Sequence, residues 1–189
     1  MFTCINTKYK KLNCSGELKD LLEDSLQHIK KIEPHLQSLE VAPVPCHNDL
    51  NPGNIFTNND QVTLIDWGDS SLGNPYYDIA AFFVLNMIEP ENEKLFLQQY
   101  DAKLLSPQWQ TDMELYKQVV YFEFTLNLLS GVQAGKGELL HAPHIPQVNN
   151  VNYYLTLLAK REVEIDSSFL YSMAIASLNK LKQGRLHLL

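Results

Sequence analysis

The chain has 189 residues, 45% hydrophobic and 20% charged, with a formal net charge of −7. This is enough chain for one domain with a sizeable core, and too apolar for a disordered segment. The acidic balance excludes a phosphate-seeking nucleic-acid surface.

The start, residues 1–11, turns basic and lacks an apolar h-region, so it does not read as a signal peptide. The longest apolar run, 79–88, is broken by Asn86 and is too short to span a bilayer, so no membrane partner is expected. Cys4, Cys14 and Cys46 have no metal-like spacing. An odd number of cysteines fits reduced thiols, and hence a cytoplasmic location.

Residues 1–15 show no clear period and read as an extension or hinge remnant, with 16–189 as the main domain. Leu18, Leu21, Leu22, Leu26, Ile29 and Ile32 recur at helical spacing behind a Ser15 cap, and Pro34 is expected to kink or stop that helix. Residues 41–46, with two prolines, read as extended. Residues 55–57 and 62–65 flank Asn58-Asn59-Asp60 and read as a hairpin. From Asp78 onward the pattern is helical, over 78–88, 91–101, 107–133, 148–164 and 167–183, with a proline-containing loop at 141–146. The expected fold class is mainly α with a small β-hairpin (α+β).

Between the first helix and the hairpin lies Cys46-His47-Asn48-Asp49-Leu50-Asn51-Pro52-Gly53-Asn54, and just after the hairpin comes Asp66-Trp67-Gly68-Asp69. An Asp two residues after a His and five before an Asn is the H-x-D-x-x-x-x-N order of a kinase catalytic loop. Asp-Trp-Gly, twelve residues on, repeats the pattern of a metal-binding D-F-G. Phosphoryl transfer asks a protein for positioning and charge neutralisation. One carboxylate must orient the attacking hydroxyl and take its proton, and Asp49 is the candidate. Magnesium takes hard oxygen ligands, which Asn54 and Asp66 supply. His47 reads as a brace for the loop, and Pro52-Gly53 as a turn that brings Asn54 back to Asp49.

Residues 46–81, with Asn74-Pro75-Tyr76-Tyr77-Asp78-Ile79-Ala80 added to these two pieces, resemble the aminoglycoside phosphotransferase and choline kinase superfamily, whose fold is that of the protein kinases. The resemblance implies a catalytic base at Asp49, magnesium ligands at Asn54 and Asp66, an internal brace at Asp78, and ATP with Mg²⁺ as cofactors. Choline-kinase-like relatives often carry an acid directly after the aromatic residue of the metal motif. Here Gly68 stands there and Asp69 follows, a variant shared with aminoglycoside-phosphotransferase-like relatives.

Within this frame the chain reads as a C-terminal catalytic lobe. No G-x-G-x-x-G lid and no V-A-I-K-like strand precede Asp49, and no Lys or Arg occurs between positions 32 and 93. The expected function is transfer of the ATP γ-phosphate to a hydroxyl of an amino alcohol, an aminoglycoside or a similar cationic metabolite. The alternative is a non-catalytic single-lobe module acting through the face that an N-terminal lobe would cover. That lobe, or a second copy of the chain as a homodimer, is the expected protein partner.

Other residues carry two readings each. Asp69 is a second acid near the metal or a loop acid. Glu123 lines a substrate cleft for an ammonium group or lies on the wet side of its helix, with the wet side preferred. Tyr116, Tyr121, Phe122 and Phe124 cage a cation or fill core. Gly131, Gly135 and Gly137 suggest a helix end rather than a phosphate loop. His141 and His144 read as loop histidines.

Overall fold

A computed structural model of the chain describes residues 2–39, 41–59, 61–100 and 108–186. Among the described residues, two helices precede four short strands and five helices follow them: α1 (Phe2–Lys11), α2 (Gly16–Ser38), β1 (Val44–Cys46), β2 (Ile55–Asn58), β3 (Gln61–Leu64), β4 (Ser71–Gly73), α3 (Pro75–Leu85), α4 (Pro90–Tyr100), α5 (Trp109–Lys136), α6 (Val151–Lys160) and α7 (Ser167–Leu186). The chain divides into two compact units. One holds residues up to His35 and from Tyr121 onward; the other holds Leu36–Val120. No helix among the described residues is long and apolar enough to cross a membrane.

The first unit is helical. Ile5 of α1 and Leu18, Leu22, Leu26 and Ile29 of α2 are buried, at the i, i+4, i+8, i+11 spacing that one helix face requires. Phe122, Leu126 and Leu129 of α5 and Met173, Leu178 and Leu181 of α7 are fully buried too. Gly131 and Gly135 lie inside α5 rather than capping it. A Cβ at Gly131 would stand 3.1 Å from Leu170 Cδ1, and one at Gly135 would collide with Ser167 Oγ. These glycines let α7 approach, which is why their spacing mimics a motif without being one.

The second unit carries the strands. β2 and β3 form the expected hairpin, with Ile55 opposite Leu64 and Asn58 opposite Gln61. Asn59 takes a left-handed backbone (φ 51°), as a tight hairpin turn demands. A second antiparallel pair, β1 with β4, sets Val44 against Gly73 and Cys46 against Ser71. Three-residue strands this short leave too little periodicity to be read in advance. Phe83, Leu97, Met113, Tyr116 and Val119 are buried, whereas Phe56, Val62, Ile65, Trp67 and Leu72 in and around the strands are exposed.

Three expectations need correction. Residues 2–11 form a helix rather than an irregular extension, because a single buried side chain, Ile5, anchors it and leaves no apolar period to read. Pro34 lies inside α2 and does not end it. The helix runs on to bury Leu36, whose carbonyl accepts the Tyr116 hydroxyl at 3.4 Å. α3 begins at Pro75, three residues earlier than the periodicity suggests, because Asn74 caps it and Pro75 fills the first turn. Asp60 of the hairpin turn and the expected helix ends at 101 and 107 lie outside the described residues.

Candidate active site

The loop between β1 and β2 is held by α3 at both of that helix's ends. Asp78, in the first turn, accepts the backbone N–H of His47 through Oδ2 and that of Asn48 through Oδ1, each at 2.8 Å. Asn86, just past the last turn, donates from Nδ2 to the Leu50 carbonyl at 2.7 Å. Eight residues of helix separate these grips, about 12 Å of rigid spacer. Asn48 adopts φ 65°, a left-handed conformation that Asn tolerates better than most residues. Its Nδ2 donates to the Asp69 carbonyl at 2.8 Å and to Ser71 Oγ at 3.0 Å, fastening the loop to the turn after the hairpin.

His47 is buried and its ring is fully used. Nε2 lies 2.8 Å from the Ile65 carbonyl, which only accepts, so Nε2 carries the proton. Nδ1 then accepts the Asp49 N–H at 3.3 Å, and the ring tilts against Trp67 at 4.6 Å between centroids. A ring bonded in this way spans the loop and the residue before Asp66. Cys46 beneath it is buried; burial first, then the charge of Asp78, pushes its thiol pKa up, so it acts as a small apolar filler.

Asp49 is half-buried, with an amide on each carboxylate oxygen. Asn51 Nδ2 donates to Oδ1 and Asn54 Nδ2 to Oδ2, both at 2.9 Å. Asn54 Nδ2 also reaches the Asp49 carbonyl at 2.9 Å. With its nitrogen committed to two acceptors, Asn54 turns its Oδ1 the other way. The hairpin explains the twelve-residue spacing to Asp66. Ile55 pairs with Leu64, and the Ile65 N–H closes the base by donating to the Asn54 carbonyl at 3.0 Å. Asp66 follows at once, left-handed (φ 59°, ψ 64°) and exposed, and its carboxylate caps no hydrogen bond in the short 3₁₀ turn Trp67–Asp69. Asp69 is exposed and serves the loop through its carbonyl.

The donor types suit a magnesium ion: one carboxylate from the exposed Asp66 and one amide oxygen from the buried Asn54, both hard oxygens. Among the described residues no three His, Cys, Asp or Glu side chains converge as a metal cage.

Asp49, Asn54, Asp66, Asp69, Asp78 and His47 all belong to the second unit. Glu123 belongs to the first, where it is buried rather than on a wet face, and pairs with Lys8 at 2.6 Å. Tyr116 and Phe122 are fully buried and are core, not cage. His141 Nδ1 meets Ser15 Oγ at 2.9 Å. Sequence reasoning passed over Asn48, Asn51 and Asn86. The signal available for Asn51 was its place before Pro-Gly, where an Asx side chain caps a turn: its Oδ1 accepts the Gly53 N–H at 2.8 Å.

Similarity to known proteins bears on the same residues. The chain is similar to an uncharacterised protein of Metamycoplasma hominis, with 37% identity over 109 residues, which is 56% of the chain and 21% of that protein. Among solved structures, it is similar to a choline/ethanolamine kinase family protein from Mesorhizobium loti (TM-score 0.65, 15% identity, 96% of the chain and 53% of that structure). It is also similar to the choline kinase LicA from Streptococcus pneumoniae (TM-score 0.55, 20% identity, 95% and 54%). The chain thus spans about a fifth of the curated relative and about half of each structure. These structures share its fold, a mainly helical part of the kinase-like architecture. Residues 9–115, more than half of the chain and including the whole of the loop, hairpin and Asp66 turn, match the phosphotransferase enzyme family, and the chain belongs to that family.

Proposed function

We propose that this chain is the catalytic lobe of an ATP-dependent small-molecule kinase, with Asp49 as its base. The carrying observation is that Asp49 is held by Asn51 and Asn54 while Asn54 and Asp66 adjoin at the base of one hairpin. In this reading the acceptor hydroxyl hydrogen-bonds to a free lone pair of the Asp49 carboxylate. Its proton passes to that carboxylate as the oxygen bonds to the γ-phosphorus and the bond to ADP breaks. Asn54 Oδ1 and the Asp66 carboxylate would hold Mg²⁺, which supplies neutralisation of the phosphate charge. His47 and Asp78 keep the loop in register and take no proton.

The acceptor class is a cationic metabolite bearing a hydroxyl, of the choline, ethanolamine or aminoglycoside type. Two things support it. No Lys or Arg occurs between positions 32 and 93, so the centre of the chain presents carboxylates to whatever approaches. The structures it resembles include kinases named for choline and ethanolamine. A second reading, a binding module without turnover, is favoured by the exposure of Phe56, Val62, Ile65, Trp67 and Leu72.

One experiment separates the two. ADP release is measured over choline, ethanolamine and an aminoglycoside panel, beside the shift in melting temperature that Mg-ATP gives the same sample. Turnover that Asp49→Asn lowers by about two orders of magnitude or more, with Mg-ATP stabilisation unchanged, supports the kinase. Neither turnover nor stabilisation supports the module. Turnover indifferent to Asp49→Asn removes Asp49 from the chemistry.

A further inference from the structure

The side chain of Asn51 does two separable things, and only one of them belongs to the fold. Its Oδ1 accepts the Gly53 N–H at 2.8 Å and so caps the short turn Pro52–Asn54. Its Nδ2 reaches the other way, to Asp49 Oδ1 at 2.9 Å. The turn is built tightly around this side chain: a Cβ at Gly53 would stand 3.0 Å from Asn51 Oδ1, closer than most Cβ contacts. Asn51 is thus fixed at its oxygen end before its nitrogen end meets the carboxylate. A donor held in this way defines where Oδ1 of Asp49 sits.

We propose that Asn51 is a positioning residue for Asp49, an inference that rests on reading Asp49 as the base. Asn54 alone tethers one carboxylate oxygen, Oδ2, and leaves the group free to swing about that tether. The second amide, on Oδ1, holds the Asp49 side chain in one χ1 rotamer. Each oxygen keeps a second lone pair, so the clamp orients the group without consuming its capacity to accept a hydroxyl proton. An uncharged donor performs this without competing with the cation that Asp66 and Asn54 would hold. A lysine or arginine in its place would add a charge at the same point.

The isosteric change Asn51→Asp separates the two roles. It keeps an acceptor for the Gly53 N–H, and so keeps the cap, but turns the donor aimed at Asp49 into a repelling oxygen. Asn51→Ala removes both. Three-bond couplings from the Asp49 Cγ carbon to its own backbone nitrogen and carbonyl carbon report its χ1 rotamer by NMR on the isotope-labelled chain. The expectation is one rotamer in the wild type and couplings averaged over rotamers in both variants, with a native amide spectrum elsewhere in Asn51→Asp. In the ADP-release assay kcat should fall about tenfold in Asn51→Asp, with the KM for ATP within about twofold of wild type.

A single Asp49 rotamer retained in both variants overturns the proposal, whatever the turnover. Averaged couplings with turnover unchanged overturn it as well, since the base then needs no positioning by Asn51. Failure of the underlying reading looks different. There Asp49→Asn keeps full turnover, while the wild-type couplings still show a single clamped rotamer.

Discussion

Asp78 offers the sharpest test of how the loop is held. Its two carboxylate oxygens accept the backbone N–H groups of His47 and Asn48, each at 2.8 Å. His47 is buried, so at least its N–H has little water to turn to when the acceptor is removed. A hydrogen bond to a charged group contributes about 1.5–3 kcal/mol, and stranding a buried donor costs a similar amount. Asp78→Ala should therefore destabilise the protein by about 3–5 kcal/mol, a large share of the 5–15 kcal/mol that typically separates folded from unfolded chains. At about 2–4 °C per kcal/mol for a chain of this size, the melting temperature should drop by about 10 °C. Asp78→Asn keeps one carbonyl oxygen but points an NH₂ at the second N–H, so it should cost about half as much. Urea unfolding followed by circular dichroism gives the free energies, and hydrogen exchange gives the site. The His47 and Asn48 amides should lose protection ahead of those in α5. A loss under about 1 kcal/mol in Asp78→Ala, with both amides still protected, would refute the reasoning and mean that other acceptors take over.

Two further outcomes follow from the geometry. Asp66→Asn should leave the melting temperature within a degree or so, because the residue is exposed and Asn tolerates the same left-handed backbone. Calorimetric titration should show Mg²⁺ or Mn²⁺ affinity reduced by at least about tenfold, the scale on which even a supporting residue matters to a metal site; equal affinity would remove Asp66 from that role. Burial raises the Tyr116 pKa to about 12, against a smaller lowering by its hydrogen bond from Asn74. The folded state then holds a proton that the unfolded chain releases near pH 10, so stability is full below pH 10 and falls as pH rises towards 12, by about 2–3 kcal/mol in all. Burial raises the Tyr9 and Tyr171 pKa values as well, so absorbance at 295 nm against pH should show several late tyrosine ionisations, and Tyr116→Phe should remove the amplitude of one of them.

What the sequence made legible was whatever it encodes locally. The loop after β1, the hairpin and the Asp66 turn lie within 24 residues, 46–69. The helices after α1 were legible from period. α7 was expected over 167–183 and runs Ser167–Leu186; α4 was expected over 91–101 and runs Pro90–Tyr100. The pairing of β1 with β4 was not legible, because it joins segments 25 residues apart that are each three residues long. Glu123 was misjudged for a related reason. On α5 alone it looks like the polar side of an amphipathic helix, and only the arrival of Lys8, 115 residues away in sequence, makes burial of its carboxylate tolerable. Glu93, similarly buried, is met by Lys117 at 2.6 Å, and burial still wins, leaving its carboxyl pKa raised.

The choice of residues around Asp49 has an electrostatic logic. Asn48, Asn51, Asn54 and Asn86 make or anchor the loop's hydrogen bonds, and Asn74 caps the helix that carries Asp78. All five are neutral. Lysine or arginine could make several of the same bonds more strongly, but each would place a positive charge beside Asp49 or Asp66 and weaken any attraction of these carboxylates for cations. Amides orient without contributing net charge, because one end donates and the other accepts. The loop can therefore be rigid and still leave its carboxylates as the dominant field at the site. The same reasoning explains why an acid, Asp78, can brace this loop. It faces two backbone N–H groups, whose partial positive charges it meets directly, and it lies on α3, whose N-terminal turn favours an anion. A charge placed there strengthens the loop, and its two short bonds direct it towards the backbone.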